Sequence, residues 1–573
     1  MLPPFLGNRR NPVPSSGSIR FPFALACHNN RDFLHIYETS DDCRTGSVVL
    51  KKNTFIKNAF IMTATALLLR TIGIFFRIYM SNKIGAEGMG LYQLIFSIYV
   101  LGATFASTGI CTAVTRLVTD ELVCGSKKSV RGILRKAILL SVCIGVVSAL
   151  LIFFGAEPIS RYWLKDMRAV PALKVLCFSL PSMGVSSCLR GYFIARRKAA
   201  SPSRAQIFEQ IVRIAVVVFL IDRFAVLGLT FACAAVLVGD TVAEIASCTY
   251  LAIGYLRDRR RVETPEAPPQ KGKHGVMYRL LAIAGPITAG RYLNTILRTI
   301  ENILVPQSLE KFTKSKETAL SSFGALKGMA MPLLFFPSSF LNSLSTLLIP
   351  EISEANALHQ QGKVNRAVGL TLHITLLSSI LLSGLFTLFA NPLGHVIYGS
   401  DEVGFLLQVL APLMPIMYVE SVVDGMLKGL NQQVSSLKYM LLDSSSRIVM
   451  IFFLVPARGM EGFLFIMVVS NLLTCFLNTH RLLTVTGMKL QWGRWIIKPV
   501  LAMGVAAAFT LLLMKPLPTS GLPELAVLIV GSLISGAIYC VLLPLLGCIT
   551  REELRQLRPR RSPSPPSEAR SDW

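Results

Sequence analysis

The chain of 573 residues is 52% hydrophobic and only 16% charged, with a mean hydropathy of +0.55, where a soluble domain carries about a quarter charged residues. That balance excludes an ordinary soluble enzyme. The net charge of +26 does not indicate nucleic acid, because the Lys and Arg residues fall in short segments between apolar runs. The twelve cysteines form no CxxC pair and no metal-ligand spacing; Cys111, Cys143, Cys188 and Cys233 lie within apolar runs as small packing residues.

In chain order, residues 1–50 are polar and lack the apolar core of a signal peptide. They read as an extension foreign to the rest, with the native start expected near Val48–Leu50. Apolar runs then recur at 56–81, 90–118, 132–155, 171–195, 206–221, 226–255, 277–303, 321–350, 367–390, 404–427, 435–455, 460–480, 496–514 and 524–547. A helix of ~20 such residues crosses a ~30 Å hydrocarbon core. The expected fold class is therefore an all-α polytopic membrane protein with 14 transmembrane helices. Pro181, Pro286, Pro332, Pro337 and Pro415 are the expected kinks.

The basic segments KKSVRGILRK (127–136), ARRKAASPSR (195–204), 256–273, 481–498 and REELRQLRPRR (551–561) alternate with poorer ones such as NPLGHVIYGSDEVG (391–404). By the positive-inside rule both termini are cytoplasmic. GAEGMG (85–90) lacks the spacing of a phosphate loop and reads as a tight turn. Residues 549–573 form a basic, Pro/Ser-rich tail expected to be disordered.

An internal repeat organises these runs. PSMGVSSCLRGYFIARRKAASPSRAQIFEQIVRI (181–214) lies without a gap over PIMYVESVVDGMLKGLNQQVSSLKYMLLDSSSRI (415–448), pairing Pro181 with Pro415, Gly191 with Gly425, Glu209 with Asp443 and Arg213 with Arg447. The same offset of 234 pairs Gly228 with Gly462; upstream it becomes 221, where Arg70 and Arg77 meet Arg291 and Arg298. The second half thus carries a longer loop between its first two helices, PQSLEKFTKSKE (306–317). An even number of spans per repeat makes the halves parallel, related by an axis along the membrane normal. The expected division is an N-lobe over 51–260, a cytoplasmic linker over 261–275, a C-lobe over 276–488 and two extra helices over 489–548.

The charges inside the runs are the candidate functional groups. Residues seven apart on a helix differ by about −20°, so Arg70 and Arg77 project from one face, and Arg291 and Arg298 repeat the arrangement. An intramembrane arginine faces a cavity or a partner by default. Two readings stand open: guanidiniums lining an anion-binding cavity, where their planar fork suits phosphate oxygens, or salt bridges to Glu301, Asp240 or Glu420. Glu301, Asp240, Glu244, Glu420 and Asp424 are the candidate ion-coupling groups or charge partners. Glu209 with Arg213, and Asp443 with Arg447, are i,i+4 pairs read as a structural clasp in each half. Lys327 takes no assignment.

RxxGxxxR (70–77) followed by IGAEGMGLYQ (84–93), with IFEQIVRI (207–214), GPITAGRYLNTILRTIEN (285–302) and MAMPLLFFPSSFLNSLSTLLIPEISEA (329–355), resembles the stage V sporulation protein B group of polysaccharide-type flippases. That group lies in the multidrug/oligosaccharidyl-lipid/polysaccharide exporter superfamily. The resemblance covers about residues 52–548. It implies a two-lobed, fourteen-helix bundle of the bacterial cytoplasmic membrane with a central cationic cavity, moving a polyprenyl-linked sugar from the inner to the outer leaflet; the residues themselves make Arg70, Arg77, Arg291 and Arg298 the candidates to grip its pyrophosphate during alternating access. It implies no enzyme activity and no cofactor, with coupling to Na+, H+ or the membrane potential left open. The implied partners are the lipid-linked sugar, membrane lipids and envelope-synthesis enzymes around a monomer. The alternative is a cation-coupled multidrug exporter.

Overall fold

The computed structural model describes residues 52–107, 109–124, 127–261, 275–514 and 523–548. The expectations for the 1–50 extension, for most of the 261–275 connection and for the 549–573 tail lie outside them. The described residues contain helices and no strand. In order they are α1 (Lys52–Ser107), α2 (Ile110–Cys124), α3 (Lys127–Pro158), α4 (Val170–Leu176), α5 (Ser179–Ala195), α6 (Ala200–Phe224), α7 (Leu229–Asp258), α8 (Val276–Thr313) and α9 (Lys316–Gly324). They continue with α10 (Met331–Phe335), α11 (Ser338–Ala357), α12 (Gln361–Leu388), α13 (Ala390–Tyr398), α14 (Asp401–Leu410), α15 (Met414–Gly429), α16 (Gln433–Thr486), α17 (Lys498–Met514) and α18 (Glu524–Leu545). Among the described residues each apolar run of the sequence lies mainly on helix. Among the described residues eight helices are long and apolar enough to cross a membrane, or nine if the pair bent by 41° between Leu176 and Ser179 forms one span.

Two helices are far longer than a bilayer requires, and a glycine breaks each. In α1 Gly85 takes φ 69°, ψ 180°, and in α16 Gly459 takes φ 60°, ψ −137°, both open to glycine and closed to most residues. The second break reverses the chain. A Cβ on Gly462 would stand 2.8 Å from the carbonyl oxygen of Leu454, eight residues back, where a straight helix would separate them by ~12 Å. The turning glycine is therefore Gly459, and the repeat partner assigned to Gly228 (φ 110°), Gly462, lies three residues beyond it.

Proline interrupts as expected at Pro332 and Pro337, where a π-helical turn (Ala325–Ala330) and a short helix divide the run, and at Pro415 after a 3-10 turn. Pro181 follows the 41° bend, whereas α8 continues through Pro286. The loop expected over 306–317 is helix instead. α8 runs to Thr313, Lys314 adopts φ 56° as its cap, and the Ser315 hydroxyl accepts the Thr318 amide to start α9. The extra residues of the second half lengthen a helix and leave a two-residue corner.

The halves touch along α1 and α8. Ser97 accepts from Thr299 through its carbonyl at 3.3 Å and from Asn302 through its hydroxyl at 3.0 Å, and the Phe105 and Tyr292 rings lie 5.3 Å apart. At the end of the bundle where α1 breaks, hereafter the distal end, Gly90 lies against the Leu320 carbonyl and Gly324 against that of Ala86, with no room for a Cβ at either. GAEGMG is thus a break at Gly85 followed by a close helix crossing. The last two helices attach to α12 through Ile380, Ala502, Met503, Ala506, Tyr539 and Leu543, and the Tyr539 hydroxyl donates to the Leu377 carbonyl at 3.0 Å.

Replacing Gly459 by Ala adds a Cβ 2.5 Å from the Phe312 ring at a φ that L-residues avoid. The expected cost is about 2–3 kcal/mol, read as a lower melting temperature of the detergent-solubilised protein.

Candidate functional site

The intramembrane charges divide into two groups. In the first half, Arg213 on α6 reaches Asp240 on α7 at 2.7 Å and Glu209, one turn back on α6, at 3.0 Å. Glu209 also meets Arg190 of α5 at 3.2 Å, and Arg190 stands 3.9 Å from Glu244. The Tyr92 hydroxyl donates to Asp240 at 3.4 Å. In the second half, Arg447 lies 2.5 Å from Asp443 and 3.4 Å from Glu301, and Lys327 lies 3.2 Å from Glu301. The Ser470 hydroxyl, from the returning arm of α16, completes the cluster by donating to Asp443 at 2.5 Å. Asp240, Glu244, Glu301 and Asp443 are all buried, so these contacts supply what water cannot.

The i,i+4 pairs Glu209–Arg213 and Asp443–Arg447 are therefore parts of larger clusters centred on the two arginines that the repeat superposes. The halves recruit the remaining carboxylates differently, Asp240 and Glu244 from α7 in one and Glu301 from α8 in the other. The composition of the clusters differs too. The first sets three carboxylates (Glu209, Asp240, Glu244) against two guanidiniums, and one Glu244 oxygen is buried without a hydrogen-bond partner. The second sets Glu301 and Asp443 against Lys327 and Arg447. Lys327 sits in the π-helical turn of Ala325–Ala330, the kind of irregularity that tends to mark a functional position in a helix.

The other four arginines stand apart. Among the described residues, Arg70, Arg77, Arg291 and Arg298 form no ion pair. Arg70 crosses from α1 to donate to the Ser339 hydroxyl of α11 at 2.6 Å. Arg298 donates to Asn294 one turn back on α8 at 3.3 Å. Arg70, Arg291 and Arg298 are exposed and Arg77 is half-buried. Two of the carboxylates that could have neutralised them are engaged elsewhere: Glu301 by Lys327 and Arg447, and Asp240 by Arg213. Asp424 pairs with Lys428 at 2.5 Å and accepts from Ser436. Glu420 forms no ion pair among the described residues.

Sequence reasoning did not single out Arg190, Tyr92, Ser339 or Ser470. Arg190 carried the same signal as Arg70, a guanidinium inside an apolar run. The serines and the tyrosine gave none, since their role depends on which helices meet.

The model of the polysaccharide biosynthesis protein family matches residues 55–356. Stage V sporulation protein B of Bacillus subtilis (strain 168) is 26% identical over 512 residues, 89% of this chain and 98% of that protein. Among solved structures, lipid II flippase MurJ in an inward closed conformation superposes with a TM-score of 0.63 at 13% identity, covering 85% of this chain and 98% of that one. An inward-facing multidrug resistance MATE family transporter of the MOP superfamily gives 0.59 at 14% identity, covering 75% and 100%.

Replacing Arg447 by Leu leaves Asp443 and Glu301 buried with too little positive charge, at an expected cost of about 3–5 kcal/mol. Replacing Arg70 or Arg298 by Ala breaks no ion pair and is expected to stay within about 1 kcal/mol. Thermal melts of the three variants in one detergent compare them directly.

Proposed function

Because the chain belongs to the polysaccharide biosynthesis protein family, a multi-pass group of the cytoplasmic membrane, we propose that it moves a polyprenyl-pyrophosphate-linked sugar between leaflets by alternating access. One observation carries this reading: among the described residues the four arginines on the repeated helices α1 and α8 form no ion pair, while Asp240, Glu301 and Asp443 are committed within their own halves. A guanidinium kept charged and unpaired inside a bundle suits an anion with several oxygens. The pyrophosphate of a lipid-linked sugar has that chemistry. The sugar passes between lobes 51–260 and 276–488 while its lipid remains in the bilayer, against helices 489–548. Fourteen crossings with both termini cytoplasmic complete the arrangement, the breaks at Gly85 and Gly459 each separating two crossings and placing the distal end outside. The lipid II flippase of Bacillus subtilis, 21% identical over 414 residues, is a relative whose name points to this substrate class.

The first-half cluster supports cation coupling. Its three carboxylates exceed its two guanidiniums, and a surplus buried negative charge calls for a counter-ion, which a proton or a sodium ion supplies. The drug-exporter alternative shares the fold, but a cationic drug gains nothing from four unpaired arginines.

The deciding assay follows a fluorescent polyprenyl-pyrophosphate sugar between leaflets of proteoliposomes. The Arg70→Ala, Arg298→Ala double variant is expected to slow movement by about 10²-fold, two charge-assisted contacts of ~1.5 kcal/mol each. Wild-type rates in that variant would remove the arginines from the substrate site, and efflux of a cationic dye without any sugar-lipid movement would establish the exporter. In the same liposomes Glu244→Gln is expected to abolish stimulation by a pH or sodium gradient and to spare movement without one.

A further inference from the structure

The corner between α8 and α9 carries a contact that the repeat does not supply. In the first half the equivalent connection is the single break at Gly85. In the second half the added residues carry α8 to Thr313, which lifts Lys316 against the segment 159–169 of the first half. There the Lys316 ammonium lies 3.3 Å from Asp166 Oδ2 and donates to the Lys165 carbonyl. That carbonyl belongs to a residue at φ 54°, the left-handed cap of the Ile159–Leu164 turn. Close by, the Gln307 amide donates to the Trp163 carbonyl.

Asp166 is prepared for the contact. It is 2% exposed although it lies between membrane runs, and Arg168 grips it at 2.9 Å and 3.1 Å. Arg168 also reaches Glu87 of the Gly85–Gly90 stretch at 2.7 Å. Two carboxylates and two cations thus balance, with Lys316 the one member from the second half. Beside them Gly90 and Gly324 bring the helix backbones of the two halves together.

We infer that Lys316 is a latch on the distal mouth: its bonds to Asp166 and the Lys165 carbonyl hold the two halves closed there, and the mouth opens when they break. The function proposed above enters only in what that mouth admits. Burial works to raise the Asp166 carboxyl, but the hydrogen bonds from Arg168 outweigh it and hold the group below the usual carboxylate range. A depressed acid keeps its charge as pH falls until its lowered pKa is reached, so the latch persists through mild acid. Because the contact joins groups whose other bonds lie within their own halves, releasing it leaves Asp166 paired with Arg168 and costs little folding stability.

Hydrogen exchange read by mass spectrometry on the full chain in detergent tests this without any substrate. Lys316→Met and Lys316→Glu are expected to raise exchange about tenfold in segments 159–169 and 306–324, the loss of a charge-assisted hydrogen bond. Segments 110–124 and 433–486 should keep wild-type rates. Lys316→Arg should match wild type. Lys311→Met removes a charge from the same helix end, where Lys311 stacks over Phe452 of its own half, and should leave segment 159–169 unchanged. Unaltered exchange at 159–169 in Lys316→Met would overturn the latch, and so would acceleration spread over the whole chain, which would make Lys316 a folding contact. A wild-type protein that moves no lipid-linked sugar refutes the proposed substrate and leaves the exchange result to decide the latch.

Discussion

The Arg447 guanidinium, 2.5 Å from Asp443 and 3.4 Å from Glu301, joins both arms of the α16 hairpin to α8, and Arg213 joins α5, α6 and α7 in the same way through Glu209 and Asp240. Charge inside a bundle has to find charge, since no water is there to hold it. Each half satisfies this demand from its own residues. The pairing makes each half a unit held by ionic contacts as well as apolar packing, while among the described residues the interface between the halves carries hydrogen bonds, ring contacts, close glycine crossings and two ion pairs near helix ends, Lys316 with Asp166 at 3.3 Å and Arg279 with Glu121 at 3.7 Å. Units tied in this way can move against one another without baring the buried clusters, a mechanical property that suits the alternating access proposed above.

Much of this was legible in the sequence because its signals are local. Apolar runs of membrane length fall on helix throughout, and the prolines at 332, 337 and 415 sit where helices stop, because a missing N–H acts on its own turn. Gly85 was visible as a turn for the same reason. What depends on partners was not. Nothing local distinguishes Gly459 from Gly462 as the reversal point, since the choice is settled by where Phe312 and Leu454 lie. The segment 306–317 is polar, as a connection should be, yet a polar stretch continuing the register of a long helix extends that helix beyond the apolar core. Of the charges, the repeat identified Arg213 and Arg447 as equivalent, but the pairing of Glu301 with Arg447 and Lys327 instead of Arg298 is a fact of helix packing.

The repeat sets the common frame, and departures from it mark where the halves specialise. The superposed arginines keep their central place while the carboxylates around them change source, which leaves an unmatched acid in the first half and a neutral cluster in the second. The lengthened α8 likewise has no counterpart, and its added turns end in the contact with Asp166. The two differences sit at different places in the fold. One lies within a half; the other lies beyond the membrane run at a helix end.

The distribution of acids bears directly on which cargo the proposed function assigns. A cavity for cationic drugs would keep carboxylates open at the seam and bury its arginines in pairs. Among the described residues Asp240, Glu301 and Asp443 are buried in ion pairs, Arg70, Arg291 and Arg298 are exposed without one, and the half-buried Glu420 forms no ion pair. Arg70 also shows how such a residue can be kept available. Its bond to the Ser339 hydroxyl orients the guanidinium across the seam without neutralising it, so positive charge remains for an anion to meet. A carboxylate in place of Ser339 would hold Arg70 more tightly and neutralise it. The Ser339 hydroxyl leaves Arg70 charged, which suits the anion grip proposed above, whereas Arg213 and Arg447 are each neutralised by carboxylates of their own half.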